Sequence, residues 1–335
     1  MAIRSSRQSK RFRSKIRVRR TGKHRRSIRR TSLRSPKRKT VSQLPTNAGS
    51  GYGASFSSEY ELGYKRGMID GAERLLEKHL PTDAIIPGIT ATEAMAAGVQ
   101  ALKARALPLL GMESVFEELE DAIRNRRPYA FVRLGDGELM TLAQNVVLPV
   151  SEVRASSPYL PYAGIVVPDL EARDELARII RSVNLVGVPI SRQPHFQPLL
   201  FRVFQAHGIA CSSLKLTTST MNYALHEHGY LQRLIAGRRL LLVGNVAAEL
   251  AQALKAQGHN VAGIVCPVKG YPDVGRVVAE AVTHDFDLAI VSAGIPAVPI
   301  VARIAELTGK VAIDFGHLAD QIAGIKTRIA AIQSE

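Results

Sequence analysis

The chain has 335 residues, of which 46% are hydrophobic, so it is long enough to bury a full core beside an accessory region. Its net charge of +16 is unevenly distributed, because 18 of the 45 Lys and Arg residues precede residue 42 and the first acidic residue is Glu59. The rest of the chain has 27 basic and 29 acidic residues, so the positive net charge comes from the N-terminal segment and not from the globular part. The apolar runs are too short for a transmembrane span, and two cysteines without CxxC spacing argue against a thiolate metal site. A cytoplasmic protein is expected.

Residues 1–58 are rich in Arg, Lys, Ser and Thr, and then in Gly and Ser. Few large apolar side chains offset the cost of ordering this backbone, so a disordered basic tail is predicted. Residues 1–45 are expected to bind a polyanion, either nucleic acid or a polymer of the cell envelope or spore surface. A solvated tail without a fixed partner is the alternative.

Residues 59–110 are predicted to form a helical linker and association region. Gly63, Gly67 and Gly71 recur every four residues and share one helix face. Glycine costs about 1 kcal/mol in a helix, so three on one face favour close packing against a second helix. We therefore predict homo-oligomerisation through this face, with a solvated helix as the alternative.

Residues 111–335 are predicted to form one α/β domain. A helix over 112–126 leads to an apolar strand at 129–132, which ends in a turn with several polar and glycine residues: Arg133, Gly135, Asp136, Gly137 and Glu138. In an open α/β sheet, ligands bind beyond the carboxyl ends of the strands.

The two carboxylates of this turn lie two residues apart between glycines, a pattern that suits a hard divalent cation. Such a cation takes its remaining ligands from water and from substrate phosphates. Arg133 supplies a planar cation that can pair with a phosphate oxygen. An ordinary turn followed by a helix with acids in its first turn is the alternative.

The middle of the chain gives weaker signals. An irregular stretch is predicted over 146–168, followed by helices over 169–182 and 196–207 and strands over 185–190 and 213–217. Arg192 follows the first of these strands and is either a phosphate or sugar contact or a surface arginine. The polar residues from Thr217 to Asn222 either bind a sugar or cap the next helix.

The last third alternates strands and helices, with strands predicted over 239–243, 261–265, 288–291 and 311–314. This pattern predicts a Rossmann-like, mostly parallel sheet with helices on both faces. Candidate ligand-binding residues follow or end these strands: Gly244, Asn245, Lys269, Gly294 and Asp314. Since the turn at Gly244 lacks GxGxxG, a site for NAD or S-adenosylmethionine is disfavoured.

Three segments together resemble a known family. The string RLGDGE at 133–138 resembles the Asp-X-Glu signature of the GT-D fold glycosyltransferases, a bacterial group with a Rossmann-like core. SAGIPAV at 292–298 and VAIDFGH at 311–317 resemble a loop and the C-terminal strand of those domains. The resemblance covers residues 115–325 and implies that two acids hold Mn²⁺ or Mg²⁺ against the diphosphate of a nucleotide-sugar, with UDP-sugars as the donor type.

These observations predict a metal-dependent glycosyltransferase that acts on an unidentified glycan or glycoprotein acceptor. The catalytic residues are expected to be Asp136, Glu138 and Arg133, and the metal ligands Asp136, Glu138 and His317. Donor contacts are expected from Gly135 and Gly137 and from the five residues at the later strand ends. No general base is identified. The alternative is a non-catalytic Rossmann-like scaffold that binds a polyanionic surface or nucleic acid through its basic tail.

Overall fold

The computed structural model describes residues 52–325, with side chains from residue 59 onward. The predicted polyanion contact of residues 1–45 lies outside the described residues. The disorder predicted for residues 1–58 lies outside them as far as residue 51, whereas residues 52–58 are helical. The chain divides into two compact units after Ala94. None of the described helices is long and apolar enough to cross a membrane.

The first unit contains helix α1, Tyr52–Glu77, so this helix begins earlier than the sequence indicated. Helix α2 spans Ala91–Ala101 and ends well short of residue 110. A Cβ atom added to Gly63, Gly67 or Gly71 would meet nothing within 4 Å, so this face of α1 is open in the described chain. Oligomerisation through it stays a prediction.

The second unit is built on seven strands, all paired in parallel. The strands are β1 (Tyr129–Arg133), β2 (Leu185–Val188), β3 (Leu216–Thr218), β4 (Arg239–Gly244), β5 (Asn260–Val265), β6 (Leu288–Ser292) and β7 (Val311–Asp314). Their order in the sheet is β3-β2-β1-β7-β6-β4-β5. The predicted α/β fold with a parallel sheet is thus confirmed.

Helices connect these strands. They are α3 (Met112–Arg124), α4 (Asp136–Ala143), α5 (Val150–Ser156), α6 (Leu170–Ile180), α7 (Gln197–Ala206), α8 (Met221–Glu227), α9 (Tyr230–Ile235), α10 (Ala247–Ala256), α11 (Val274–Ala281), α12 (Ala297–Thr308) and α13 (Leu318–Ile322). The prediction that residues 146–168 are irregular was wrong in part, because α5 lies within them. Helix α5 begins at Val150, directly after Pro149, which is its N-cap residue and has a φ fixed by its ring.

The period-two side-chain alternation of the strands explains why helices cover both faces of the sheet. In β1, Ala130 and Val132 join a core with α4–α7, α11 and α12, whereas Tyr129 and Phe131 join a core with α3, α8–α10 and α13. The inner strands are therefore apolar on both sides, whereas the edge strand β5 is partly exposed. This is why the inner strands read as continuous apolar runs in the sequence.

The connections create a crevice at the carboxyl ends of the strands. From β4 the chain crosses to β5 on one side through α10, and from β6 it crosses to β7 on the other side through α12. Neighbouring strands whose connections leave in opposite directions open a crevice between their loops. The turn after β1 lies along the same edge, two strands away from β6.

Candidate active site at the carboxyl edge of the sheet

The turn after β1 positions two carboxylates at the start of α4. One oxygen of each is held by a donor of the protein: Oε2 of Glu138 accepts from the Gly135 amide at 2.7 Å, and Oδ2 of Asp136 accepts from the Tyr159 hydroxyl at 2.7 Å. The other oxygens, Oε1 of Glu138 and Oδ1 of Asp136, have no hydrogen-bond partner within residues 52–325, and neither acid forms an ion pair there. The turn therefore presents two oriented carboxylates with one oxygen of each to spare.

Burial and neighbouring charge perturb the groups of this turn. Burial raises the pKa of Glu138 to about 7, and the nearby Asp314 carboxylate adds to the rise, while the Gly135 amide and Arg133 oppose it. Burial also raises the pKa of Tyr159 well above its ordinary value, and the hydrogen bond to Asp136 adds to this rise. Tyr159 is consequently a neutral hydrogen-bond donor at any physiological pH.

Arg133 ends β1 in a buried network of acceptors. Its Nε donates to the Asp314 carbonyl at 3.1 Å, and its Nη2 donates to Oδ1 of Asp314 at 3.1 Å. Its Nη1 donates to the Ser219 carbonyl at 3.0 Å and to Oδ1 of Asn222 at 3.2 Å. Four of the five guanidinium N–H groups are thus used by the protein. A phosphate contact by Arg133 stays a prediction, and the observed role is to join the ends of β1, β3 and β7.

The loop after β7 is shaped around this guanidinium. Gly316 has φ of +52°, and a Cβ atom there would overlap Nη2 of Arg133. The Gly316 amide donates to Oδ1 of Asp314 at 3.1 Å, and Asn222 donates through Nδ2 to the Phe315 carbonyl at 2.8 Å. Glycine is required here both for the left-handed backbone and for the close approach of the arginine.

A second network joins three loops beside the acidic turn. The Ile295 amide donates to the Ala163 carbonyl at 3.1 Å, and the Tyr271 amide donates to the Gly164 carbonyl at 2.8 Å. The segment 157–164, which carries Tyr159, is thereby tied to the loops after β5 and β6. Three glycines with positive φ make this approach sterically feasible: Gly164, Gly270 and Gly294.

The structure places the predicted donor-binding residues along one edge. Gly244 has φ of +143°, and a Cβ there would overlap the Ser292 carbonyl, so the crevice between β4 and β6 is narrow at its base. Asn245 accepts from the Val268 amide at 2.8 Å, which leaves its own amide group exposed. Lys269 is exposed beyond β5. These residues share the edge with the acidic turn, and their contacts with a donor stay predictions.

Two further candidates lie at the surface. His317 is exposed at the start of α13, just past the buried Asp314. Arg192 is exposed and donates to Oε1 of Gln197 at 2.6 Å, which agrees with the surface-arginine interpretation.

Metal binding by Asp136, Glu138 and His317 stays a prediction. Within the part of the chain that the structure describes, no three His, Cys, Asp or Glu side chains are arranged to hold a metal ion. The two carboxylates alone still fit a hard cation such as Mn²⁺ or Mg²⁺, since each has a free oxygen and neither charge is neutralised by a cationic side chain.

Sequence reasoning missed the contribution of Tyr159. It lies in a Pro-rich stretch with no recognisable motif, and its hydroxyl reaches an acid 23 residues away in the sequence. Ser157, nearby in the same segment, is 2% exposed, and its hydroxyl has no hydrogen-bond partner in the described residues. Only two weak signals pointed to this segment: its position after the acidic turn and its aromatic residues.

Two solved structures resemble this chain at low sequence identity. A glycosyltransferase from Streptococcus sanguinis with domain of unknown function 1792 is 15% identical, with a TM-score of 0.46, over 67% of this chain and 88% of that one. Another structure of this domain, described as a distinct glycosyltransferase fold, is 16% identical, with a TM-score of 0.44, over 67% and 84% of the chains. No curated protein matches the chain. The profile of the GT-D fold-like domain matches residues 110–322, more than half of the chain, and the chain therefore belongs to the GT-D fold-like family.

Proposed function

We propose that this protein is a metal-dependent glycosyltransferase that transfers a sugar from a nucleotide-sugar, of the UDP-sugar type, to a glycan or glycoprotein acceptor. Membership of the GT-D fold-like family supports the reaction class. The observation that carries the proposal is the pair of carboxylates at Asp136 and Glu138, which lie at the ligand-binding edge of the sheet without a cationic partner in residues 52–325.

Charge balance explains why these acids point to a cation. A half-buried carboxylate without a counter-charge is unfavourable, and proteins retain such groups where a ligand completes the site. The guanidinium of Arg133, which ends the strand before the turn, forms its ion pair with Asp314 at 3.1 Å. Asp136 and the ionised form of Glu138 would together present two negative charges at one helix start, which favours binding of a divalent cation.

The free oxygens Oδ1 of Asp136 and Oε1 of Glu138 would hold Mn²⁺ or Mg²⁺. When bound there, the ion would act as a Lewis acid that stabilises negative charge on the departing nucleoside diphosphate. Gly137 lets the loop after β6 lie close to the turn, since a Cβ would be 3.3 Å from Cδ1 of Ile295. Gly135 keeps Glu138 oriented through its amide.

The donor would lie across the loops after β4, β5 and β6, where the sheet offers a crevice. Asn245 and Lys269 are exposed there, so an amide and an ammonium group are available to ribose or phosphate oxygens. Arg133 would support this site indirectly, because it joins the ends of β1, β3 and β7. The exposed His317 would contact the diphosphate of the donor.

The test is release of nucleoside diphosphate from a panel of nucleotide-sugars by the full-length protein, with and without Mn²⁺. Asp136→Asn and Glu138→Gln remove charge with little change in shape, and each is expected to lower Mn²⁺-dependent turnover by at least 10²-fold, the scale typical of lost electrostatic stabilisation. Glu152→Gln, at an exposed acid on α5, is the matched control and is expected to match the wild type.

Turnover that needs the metal and both acids would identify the donor base and sugar. If no donor in the panel binds or turns over in the presence of either metal, the glycosyltransferase proposal is refuted and the scaffold alternative is favoured. If turnover is unchanged in both variants, the protein is a transferase whose site lies elsewhere.

A further inference from the structure

We propose that Tyr159 is a positioning residue that fixes the Asp136 carboxylate so that its free oxygen faces a bound divalent cation. This inference rests on the proposed function and adds a residue outside the Asp-X-Glu signature. It concerns orientation, and Tyr159 itself is not required to touch the metal or the donor.

The hydrogen bond from Tyr159 engages only one oxygen of the Asp136 carboxylate. The Tyr159 hydroxyl donates to Oδ2 of Asp136 at 2.7 Å, while Oδ1 has no hydrogen-bond partner in residues 52–325. A carboxylate that lacks such a contact rotates about its terminal torsion, which is broad and roughly two-fold. Engagement of one oxygen therefore selects which oxygen faces outward. Neighbours that donate to ligating carboxylates act in this way at metal sites.

The Tyr159 hydroxyl is an uncharged donor. A tyrosine hydroxyl orients Asp136 by a hydrogen bond but does not neutralise it, whereas an arginine or lysine in its place would compete with a cation for the carboxylate. The carboxylate thus keeps both its direction and its negative charge.

The segment that carries Tyr159 is held in place by burial and by backbone hydrogen bonds. Leu160 is fully buried, and the backbone is fixed a few residues later by the bonds from Ile295 to Ala163 and from Tyr271 to Gly164. These bonds come from the loops after β6 and β5. A hydroxyl on this segment is consequently held in a defined place relative to the acidic turn, as a positioning group must be.

The experiment is a Mn²⁺ titration of the full-length protein, in which free Mn²⁺ is measured by electron paramagnetic resonance and thermal unfolding is recorded in EDTA. Tyr159→Phe removes the hydroxyl and keeps the ring, and we expect it to weaken Mn²⁺ affinity by about 10- to 100-fold, as for other outer-shell partners. Tyr162→Phe is the matched control, because Tyr162 lies in the same segment, is 65% exposed and forms no hydrogen bond through its hydroxyl in the described structure. It is expected to bind Mn²⁺ as the wild type does.

The outcomes separate the two proposals. If the wild type and Tyr159→Phe bind Mn²⁺ equally well, the metal site stands and the role of Tyr159 is refuted. If the wild type binds no Mn²⁺, both the metal site and the role of Tyr159 are refuted. A loss of affinity in Tyr159→Phe that is matched by Tyr162→Phe would show a general effect of the segment and would also overturn the assignment. A selective loss with a folded variant in EDTA supports it.

Discussion

The buried pair of Arg133 and Asp314 should be a major determinant of stability, and removal of only the arginine tests this directly. The side chains are 15% and 7% exposed, and the arginine also donates to Ser219 and Asn222. Arg133→Met keeps an unbranched side chain but leaves the Asp314 carboxylate buried without its cation. The remaining contact to that carboxylate is the Gly316 amide, at 3.1 Å.

The expected magnitude follows from the cost of an unpaired buried charge. Removal of one partner of a buried ion pair destabilises a protein by roughly 3–5 kcal/mol, a large fraction of the usual stability of a domain. The double variant Arg133→Met with Asp314→Asn removes both charges and should recover part of this loss. An exposed pair of the same residue types, Arg127 with Asp121, is the control: its side chains are 56% and 51% exposed, so Arg127→Met should cost no more than about 1 kcal/mol.

The assay is urea unfolding followed by circular dichroism, with the free energy of unfolding obtained by linear extrapolation. If Arg133→Met and Arg127→Met lower the free energy of unfolding equally, the buried network around Arg133 contributes no more to stability than an exposed ion pair. If the double variant is less stable than Arg133→Met alone, the cost arises from lost packing or hydrogen bonds rather than from the buried charge.

Two further predictions concern neighbouring positions. Gly316→Ala places a methyl group against Arg133 at a backbone φ of +52° and should lower the free energy of unfolding by about 2–4 kcal/mol. Gly309→Ala, at a φ of +67° with no atom within 4 Å of the added Cβ, should lower it by only about 1 kcal/mol. Urea unfolding of both variants measures the difference, and equal losses would contradict the steric explanation. The pKa of Glu138 is about 7 in the folded state and about 4.3 in the unfolded state. Between about pH 4.3 and pH 7 the folded state therefore binds more protons than the unfolded state, so the free energy of unfolding falls as the pH rises through this range. In EDTA, Glu138→Gln should remove roughly 1–3 kcal/mol of this dependence between pH 5 and pH 8, and an unchanged slope would show that the carboxyl is not perturbed.

The sequence predicted the fold class well because the strands are buried on both faces. β1 and β7 read as continuous apolar runs that end at polar residues, and the structure gives β7 the predicted bounds, Val311–Asp314. The edge strand β3 was placed too early, at 213–217 rather than at Leu216–Thr218. It is short and pairs on one side only, so its residues carry little of the two-sided apolar pattern that identifies the inner strands.

The candidate site was predictable only where its residues are close in the sequence. Asp136 and Glu138 are two positions apart, and their glycine neighbours mark the turn. The contacts of Tyr159 with Asp136 and of Arg133 with Asp314 join segments that are 23 and 181 residues apart, and no local pattern encodes them. Arg133 in particular has the residue type and position of a phosphate ligand, and only the tertiary structure shows that its donors are occupied.

The polar and charged side chains at this edge of the sheet form two sets that differ in whether their charges are paired within the protein. Arg133, Asp314 and Asn222 satisfy one another, so their burial is explained without a ligand. Asp136 and Glu138 are each oriented by a neutral donor, and no basic side chain within residues 52–325 pairs with them. Orientation without neutralisation costs stability that a cation would restore, because a bound ion supplies the missing charge. The same sheet edge thus contains a closed network that joins the strand ends and a pair of acids without a basic partner among the described residues, where we propose that a cation binds.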